Sequence, residues 1–170
     1  KEELLAKLGT KALLEDLNSI TVKVGNFYPI PSGTIHALGK KIVLLEIQQS
    51  SDVTYRLYDY DRLDKNKMPR PFHLKEAAKV IKWENSSIVP VNFLASKETK
   101  LWNNHYFQVD TLQVEGQVQL PLLEHYGIIT VVFGEIKVFD KILRSGESFI
   151  IPNGTRPPLI AGSGYIAITT

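Results

Sequence analysis

The segment GNFYPIPSGTIH, residues 25–36, decides the fold of this sequence. Its spacing is G-x5-P-x-G-x2-H, with two glycines and a proline ahead of a histidine. Gly25 and Gly33 can adopt the positive φ that a tight turn between strands requires, while Pro31 fixes its own φ and lacks an N–H. The pattern predicts a sharp corner that carries His36 onto the start of a strand, facing the mouth of a short β-barrel.

The same pattern occurs again as GESFIIPNGTRP at residues 146–157. The two glycines, the proline and the following threonine keep their spacing, but Pro157 stands where the first copy has His36. Two corners of one design predict two related barrels. Because the second copy lacks the histidine, we expect one functional site and one structural copy without metal.

Length, charge and composition exclude several classes of protein. The 170 residues can bury roughly 70% of the unfolded chain's surface, and the net charge of +2 is spread too evenly for a nucleic-acid-binding protein. The absence of cysteine excludes disulfides and thiolate metal ligands. No apolar run approaches the roughly 20 residues that span a bilayer, and the first residues are too charged for a secretory signal. We expect a cytoplasmic protein with no nucleic-acid or membrane partner.

Two helical regions stand out from a chain that is otherwise rich in short β-type runs. Leucines spaced i,i+4 predict helix over residues 2–17, with Gly9 ending one helix and Thr10 capping the next. A second amphipathic pattern predicts a helix at 74–84, with Asn85 and Pro90 beyond its end. From Ile20 onward, turn residues separate the β-type runs, so we expect the barrel to begin there.

Two predicted strands carry the polar residues of interest. In Ile42–Gln48 the carboxylate of Glu46 is either an edge group in water or part of a polar site, since burying it without a partner is costly. In Thr54–Tyr60, Arg56 either pairs with a carboxylate or holds negative charge on a substrate. The candidate carboxylates are Asp52, Asp59 and Asp61. The basic stretch 62–75 is either a solvated loop or a contact for a phosphate-bearing substrate.

The second half of the sequence predicts strand after strand. Leu112, Val114, Val118 and Leu120 alternate with polar residues, and two apolar runs flank Gly134, where we expect a tight turn. The remaining histidines are His73, His105 and His125, and none has a second histidine or glutamate at metal-binding spacing. We therefore do not expect them to be metal ligands.

The 36 residues from Phe27 to Arg62 together resemble the zinc-dependent type I mannose-6-phosphate isomerases, in their short bacterial form. The resemblance implies a mainly β fold of cupin-type jelly-roll barrels, with an incomplete first cupin, a degenerate second cupin and short helices at the N-terminus and around 74–84. It covers only the C-terminal part of the family's pattern. The implied divisions are a helical segment at 1–19, the C-terminal part of the catalytic cupin at 20–72, a connecting helix and linker at 73–104, and the second cupin at 105–170.

The resemblance also implies an activity and the residues that carry it. Mannose 6-phosphate and fructose 6-phosphate would interconvert through an enediol, with zinc as a Lewis acid and protein groups that move a proton between C1 and C2. His36 matches the family's last zinc ligand. Arg56 and Asp52 match catalytic positions, and the expected substrate-binding residues are Glu46, Lys40 and Arg62. Arg62 stands where longer forms have a lysine.

The chain lacks most of the zinc site that the resemblance implies. Catalytic zinc takes about three protein ligands, and only His36 is found; the family's other ligands lie in a part that precedes Lys1. Three hypotheses remain: part of an isomerase that is inactive alone, a non-catalytic cupin module that binds a sugar phosphate or is structural, and a metal dioxygenase. The dioxygenase is disfavoured because the sequence has no His-x-His pair. Open sheet edges would favour self-association.

Overall fold

The computed structural model describes residues 2–51, 53–83 and 88–170. The chain divides into two units, each described separately below. The first unit comprises Lys1–Val22, Ile30–Ile42 and Ser50–Ile88, and the second comprises Lys23–Pro29, Val43–Gln49 and Val89–Thr170. None of the helices in the described part of the chain is long and apolar enough to cross a membrane.

The first unit contains the predicted short helices. Helix α1 is Glu2–Lys7, and Gly9 follows it with a φ of 81°, as a helix-ending glycine does. The next helix, Lys11–Asp16, is a 3₁₀ helix. Thr10 occupies the predicted N-cap position, but its hydroxyl donates to the Lys7 carbonyl and forms no cap hydrogen bond with the helix that follows.

The second predicted helix is shorter than its sequence pattern. Helix α2 is Leu74–Val80, with Ala77 buried on its inner face, whereas the pattern predicted 74–84. The Ile81 N–H still donates to the Ala77 carbonyl, but Ile81 itself is extended with a ψ of 127°, which ends the helix. The predicted terminator Asn85 lies outside the described residues.

The strands predicted at 42–48 and 54–60 are wrong. No residue of either segment that the structure describes belongs to a strand, and the Val43 side chain is 100% exposed. Alternation fixes which faces a strand would present, but a ladder also needs a neighbouring strand to bond. In the second segment, the Arg56 backbone pairs with His73 instead.

The strands lie in the second unit, where every pairing is antiparallel. A small two-stranded sheet joins β1 (Asn26–Phe27) to β2 (Val91–Asn92), and a 3₁₀ helix, Phe93–Ala95, follows. The main sheet has the order β3-β4-β8-β5-β6, and β7 pairs with β5. Its strands are β3 (Glu98–Asn103), β4 (Gln108–Gln119), β5 (Gly127–Val138), β6 (Lys141–Arg144), β7 (Ser148–Ile151) and β8 (Leu159–Thr169). The mainly β class is confirmed.

The core of the second unit follows the predicted alternation. Val114 and Leu120 are buried, and Leu112 and Val118 pack against them. The rest of the core comes mostly from β5 and β8, whose side chains alternate between the core and the other face. Its buried members are Ile129, Val131, Ile136, Val138, Ile151, Ile160, Ile166 and Ile168.

The tight turn predicted at Gly134 is wrong, because β5 runs through this glycine without a break. Gly134 has a φ of 91° and lies opposite Gly164 of β8. A Cβ at this position would collide with the Ser163 carbonyl oxygen. The glycine therefore permits two backbones to approach closely within a strand, and the chain reverses later, between Val138 and Lys141.

The two corners share one backbone geometry, as their sequences predicted. In each, a threonine N–H donates to a proline carbonyl three residues earlier: Thr34 to Pro31 at 3.1 Å, and Thr155 to Pro152 at 3.3 Å. The glycine before each threonine has a positive φ, 86° at Gly33 and 74° at Gly154, which suits a type II turn. The copies differ at the position that follows each corner. The first copy has an exposed histidine, His36, where the second has Pro157.

Candidate functional site

The corner does not bury His36. Its Nδ1 lies 2.9 Å from the Thr34 carbonyl oxygen, and the residues that follow are not in a strand. Lys40 is exposed in the first unit, and Glu46 is exposed in the second. Asp52 lies outside the described residues. The roles of these four positions stay predictions.

A zinc ion does not fit the described residues. Nowhere in residues 2–51, 53–83 and 88–170 do three histidine, aspartate, glutamate or cysteine side chains come together as metal ligands. His36 bonds a backbone carbonyl through one ring nitrogen, and a catalytic zinc site takes about three protein ligands. The described chain offers one candidate ligand and no zinc site.

Arg56 and Arg62 do meet, at the buried carboxylate of Asp59. Arg62 donates from Nη2 to Asp59 Oδ1 at 2.7 Å, and from Nε to the Asp59 carbonyl at 3.2 Å. Arg70 binds the same carboxylate with two parallel hydrogen bonds, Nε to Oδ2 and Nη2 to Oδ1. Arg56 Nε lies 3.9 Å from Oδ2. We call Arg56, Asp59, Arg62 and Arg70 the arginine cluster.

The arginine cluster has an excess of positive charge. One carboxylate faces three guanidinium groups, which leaves a net charge of +2. The hydrogen bonds from Arg70, and then those from Arg62, hold the pKa of the Asp59 carboxyl below its ordinary value, although burial acts in the opposite direction. The carboxylate is therefore ionised at neutral pH, and the cluster suits an anionic group of a ligand.

Exposure differs strongly within the arginine cluster. Asp59 is 4% exposed, whereas the side chains of Arg56, Arg70 and Arg62 are 22%, 36% and 63% exposed. The carboxylate thus lies beneath the guanidinium groups. The arginines, and not the aspartate, are accessible to a ligand.

A tight loop brings Arg70 back to Asp59. Asp64 Oδ1 accepts hydrogen bonds from the N–H groups of Asn66 and Met68, and the Asp64 N–H donates to the Met68 carbonyl at 2.8 Å. Leu63 and Pro69 form a bridge beside this turn. The side chain of Asp64 thus organises the loop by satisfying its backbone, as aspartates commonly do in turns.

Arg56 is anchored from the other side by His73. The Arg56 N–H donates to His73 Nδ1 at 3.1 Å, and the His73 N–H donates to the Arg56 carbonyl at 2.9 Å. The Arg56 guanidinium donates from Nη1 to the Pro71 carbonyl at 3.2 Å. Because Nδ1 accepts a hydrogen bond, the ring proton is assigned to Nε2. Both ends of Arg56 are therefore fixed.

Sequence reasoning missed Arg70 and the contact of His73 with Arg56. Of the two candidate partners of Arg56 that the structure describes, Asp59 lies beside it, while Asp61 accepts from the Tyr58 hydroxyl at 3.1 Å. The third candidate, Asp52, lies outside the described residues. One feature of the sequence could have identified Arg70. It lies between Pro69 and Pro71, and the prolines favour an extended backbone that can run past the aspartates at 59 and 61.

Comparison with known proteins gives consistent matches. Residues 97–170 match the family model described as mannose-6-phosphate isomerase, cupin domain. A mannose-6-phosphate isomerase of Streptococcus mutans is 34% identical over 160 residues, which are 90% of this chain and 51% of that protein. The mannose-6-phosphate isomerase ManA of Bacillus subtilis is 34% identical over 165 residues, 91% of this chain and 51% of that protein.

The solved structures agree. The mannose 6-phosphate isomerase of Bacillus subtilis aligns with a TM-score of 0.53 and 26% identity, over 71% of this chain and 41% of that one. A zinc-bound mannose 6-phosphate isomerase aligns at 18% identity with a TM-score of 0.44, too distant to transfer the metal to this chain. The chain spans about half the length of the curated relatives that it matches. Residues 97–170 match the family's cupin domain, and the chain is similar to mannose-6-phosphate isomerases over about nine-tenths of its length.

Proposed function

We propose that this chain is the sugar-phosphate-binding C-terminal part of a mannose-6-phosphate isomerase. The observation that carries the proposal is the alignment of about nine-tenths of the chain with proteins named for that activity. The arginine cluster supports it, because a net charge of +2 suits a sugar phosphate. We extend the proposal to a small-molecule partner in the cytoplasm.

The arginines would serve the interconversion through charge and position. Passage through an enediol requires a proton to move between C1 and C2 and places negative charge on an oxygen. Arg56, fixed by Asp59, Pro71 and His73, would donate hydrogen bonds to that oxygen. Arg62 is the most exposed of the three and would contact the phosphate. Neither can be the base, because a guanidinium keeps its proton.

We propose that this chain is inactive by itself. The relatives are about twice as long, and the described residues gather no set of three metal ligands. His36 and Asp52 would then complete a site only together with residues that this chain does not supply. Zinc, as the resemblance implies it, would belong to that completed site.

A coupled assay of mannose 6-phosphate conversion tests this proposal. The 170-residue chain with added zinc should show no turnover, whereas a chimera that places the first half of the Streptococcus mutans isomerase ahead of it should be active. Arg56→Ala in the chimera should lower kcat by about 10²–10³-fold, as loss of a charge-stabilising group does. Lys65→Ala, at an exposed lysine of the same loop, is the matched control and should change little.

Two outcomes would overturn the proposal. Turnover by the isolated chain would mean that it builds a complete site. A folded chimera that binds mannose 6-phosphate without converting it would favour the second candidate, a non-catalytic cupin module. Two observations favour this alternative. His36 is exposed, and the described residues contain no group of three side chains that could bind a metal ion.

A further inference from the structure

We propose that Asp59 is a positioning residue: its buried carboxylate, held by Arg70, orients the guanidinium groups of Arg56 and Arg62 into one fixed anion-binding face. The nature of the anion rests on the proposed function, but the orientation does not. Neither Asp59 nor Arg70 is among the residues that the sequence assigned to the site.

Asp59 acts through the arginines and does not touch a ligand. It is 4% exposed, and both of its oxygens are occupied. Oδ1 accepts from Arg62 and Arg70, and Oδ2 accepts from Arg70 and faces Arg56. A carboxylate with no free oxygen and no access to solvent is neither a base nor a contact for substrate.

Arg70 fixes the plane of the carboxylate. Its guanidinium binds both oxygens at once, the fork geometry that arginine forms with carboxylates and lysine cannot. Once that plane is fixed, the direction in which Arg62 and Arg56 approach is also fixed. The single carboxylate can then set the distance between the half-buried Arg56 guanidinium and the exposed Arg62 guanidinium.

The backbone beside Asp59 is strained in a way that serves the same contact. Tyr60 and Asp61 each have a φ of 55°, a left-handed backbone conformation that is unfavourable for non-glycine residues. These two residues turn the chain so that Arg62 reaches both the carbonyl and the carboxylate of Asp59. The Arg62 side chain also lies over the Tyr60 ring, 5.7 Å from its centroid.

The loop offers a control that separates positioning from simple loop stability. Asp64 organises the loop through backbone hydrogen bonds alone and has no ion pair with an arginine of the cluster among the described residues. Asp64→Ala loosens the loop but keeps every charge of the arginine cluster, so it measures how much loop stability alone contributes to the position of Arg70. Asp59→Asn keeps the shape and removes the charge.

The experiment is NMR of the arginine Nε–H groups in the 170-residue chain, followed by titration with mannose 6-phosphate. Asp59→Asn should speed solvent exchange about tenfold at the Arg70 Nε–H, which donates to the carboxylate. The effect should be smaller at the Arg62 Nε–H, which donates to the Asp59 carbonyl while only Nη2 donates to the carboxylate. Arg70→Lys should do the same at Arg62, and Asp59→Glu should restore part of the protection. Asp64→Ala, which keeps every charge of the arginine cluster, should speed exchange at Arg62 and Arg70 less than Asp59→Asn does.

In the titration, the direction in which Asp59→Asn changes the affinity for mannose 6-phosphate distinguishes the two roles. Asp59→Asn raises the charge of the arginine cluster from +2 to +3, so a purely electrostatic role predicts tighter binding of mannose 6-phosphate. A positioning role predicts binding weakened by about tenfold. Unlabelled mannose, which has no phosphate, is the control ligand.

Unchanged Nε–H exchange in Asp59→Asn, or tighter binding by that variant, would overturn the positioning role. If instead exchange changes as expected but the wild-type chain does not bind mannose 6-phosphate, the positioning of the arginines stands and sugar-phosphate binding by this chain fails. If Asp59→Asn does not fold, Arg70→Lys replaces it as the test. This variant retains every charge, so unchanged Nε–H exchange at Arg62 in Arg70→Lys would overturn the positioning role.

Discussion

At the scale of single residues, the sequence identified Arg56 and its need for a carboxylate, but it could not choose Asp59 or find Arg70. An arginine amid apolar neighbours requires a counter-charge, and three aspartates lay within reach along the chain. The choice among them depends on where the loop folds back, which is set by Asp64 and the Leu63–Pro69 bridge. Local spacing does not determine such a contact, since Asp59 and Arg70 are joined by the loop and not by a helix or strand.

The Asp59 carboxyl predicts a dependence of stability on pH. Because the arginines lower its pKa in the folded state below its ordinary value of 3.8, the stability that it contributes is complete above that value. It is lost as the pH falls through the folded-state pKa. The difference in unfolding free energy between wild type and Asp59→Asn should therefore be largest near pH 7 and should shrink below about pH 4.

Urea unfolding of both proteins at a series of pH values, followed by circular dichroism, measures that difference. A difference that is independent of pH down to strongly acidic conditions would show that Asp59 does not stabilise the chain through its charge. A difference that grows as the pH falls would contradict the lowered pKa itself.

At the scale of elements, alternation predicted the strands correctly only where a partner strand is present. In β4 the predicted apolar positions do face the core, because β3 and β8 complete the ladder on either side. The equally apolar stretch at 42–48 has no strand ladder in the described part of the chain. Gly134 was misjudged because a glycine in a turn and a glycine at a close approach of two backbones look alike in sequence.

Gly134→Ala should destabilise the second unit by about 2–4 kcal/mol, since the new methyl group would meet the Ser163 carbonyl in addition to the cost of a positive φ. Gly146→Ala is a matched control. Gly146 has a φ of 87°, close to the 91° of Gly134, but a Cβ there meets nothing within 4 Å. Gly146→Ala should therefore lower the unfolding free energy by only about 1 kcal/mol.

Denaturant unfolding of the two variants beside wild type compares these costs. Equal destabilisation by both substitutions would show that backbone conformation alone matters, and that the close approach of β5 to β8 contributes nothing.

At the scale of the whole molecule, the repeated corner was the most informative feature of the sequence. It predicted two related parts, and the shared turn geometry confirms that the corners correspond. The sequence could not show that, within the described residues, the strand ladder lies in the second unit. The residues of a strand determine its faces, but its hydrogen-bond partners belong to other segments. The division at residues 1–19, 20–72, 73–104 and 105–170 stays a prediction.

The segment 43–49 gives the last prediction, which concerns the first cupin that the resemblance implies at 20–72. Val43, Leu44 and Leu45 are exposed, although an apolar run of this kind is typical of a strand paired within a barrel. Unpaired backbone groups of such a segment exchange their amide hydrogens rapidly. We therefore expect fast exchange at 43–49 in the isolated chain and slow exchange in the chimera with the Streptococcus mutans half, where neighbouring strands could pair with it.

Hydrogen exchange followed by mass spectrometry measures both states, and a peptide from β4 should be protected equally in both because its neighbours are already present. Exchange at 43–49 that stays fast in an active chimera would mean that the segment is a surface loop of the enzyme. If protection in the isolated chain rises with protein concentration, a second copy supplies the pairing through the open edge. The isolated chain would then associate with itself through this segment.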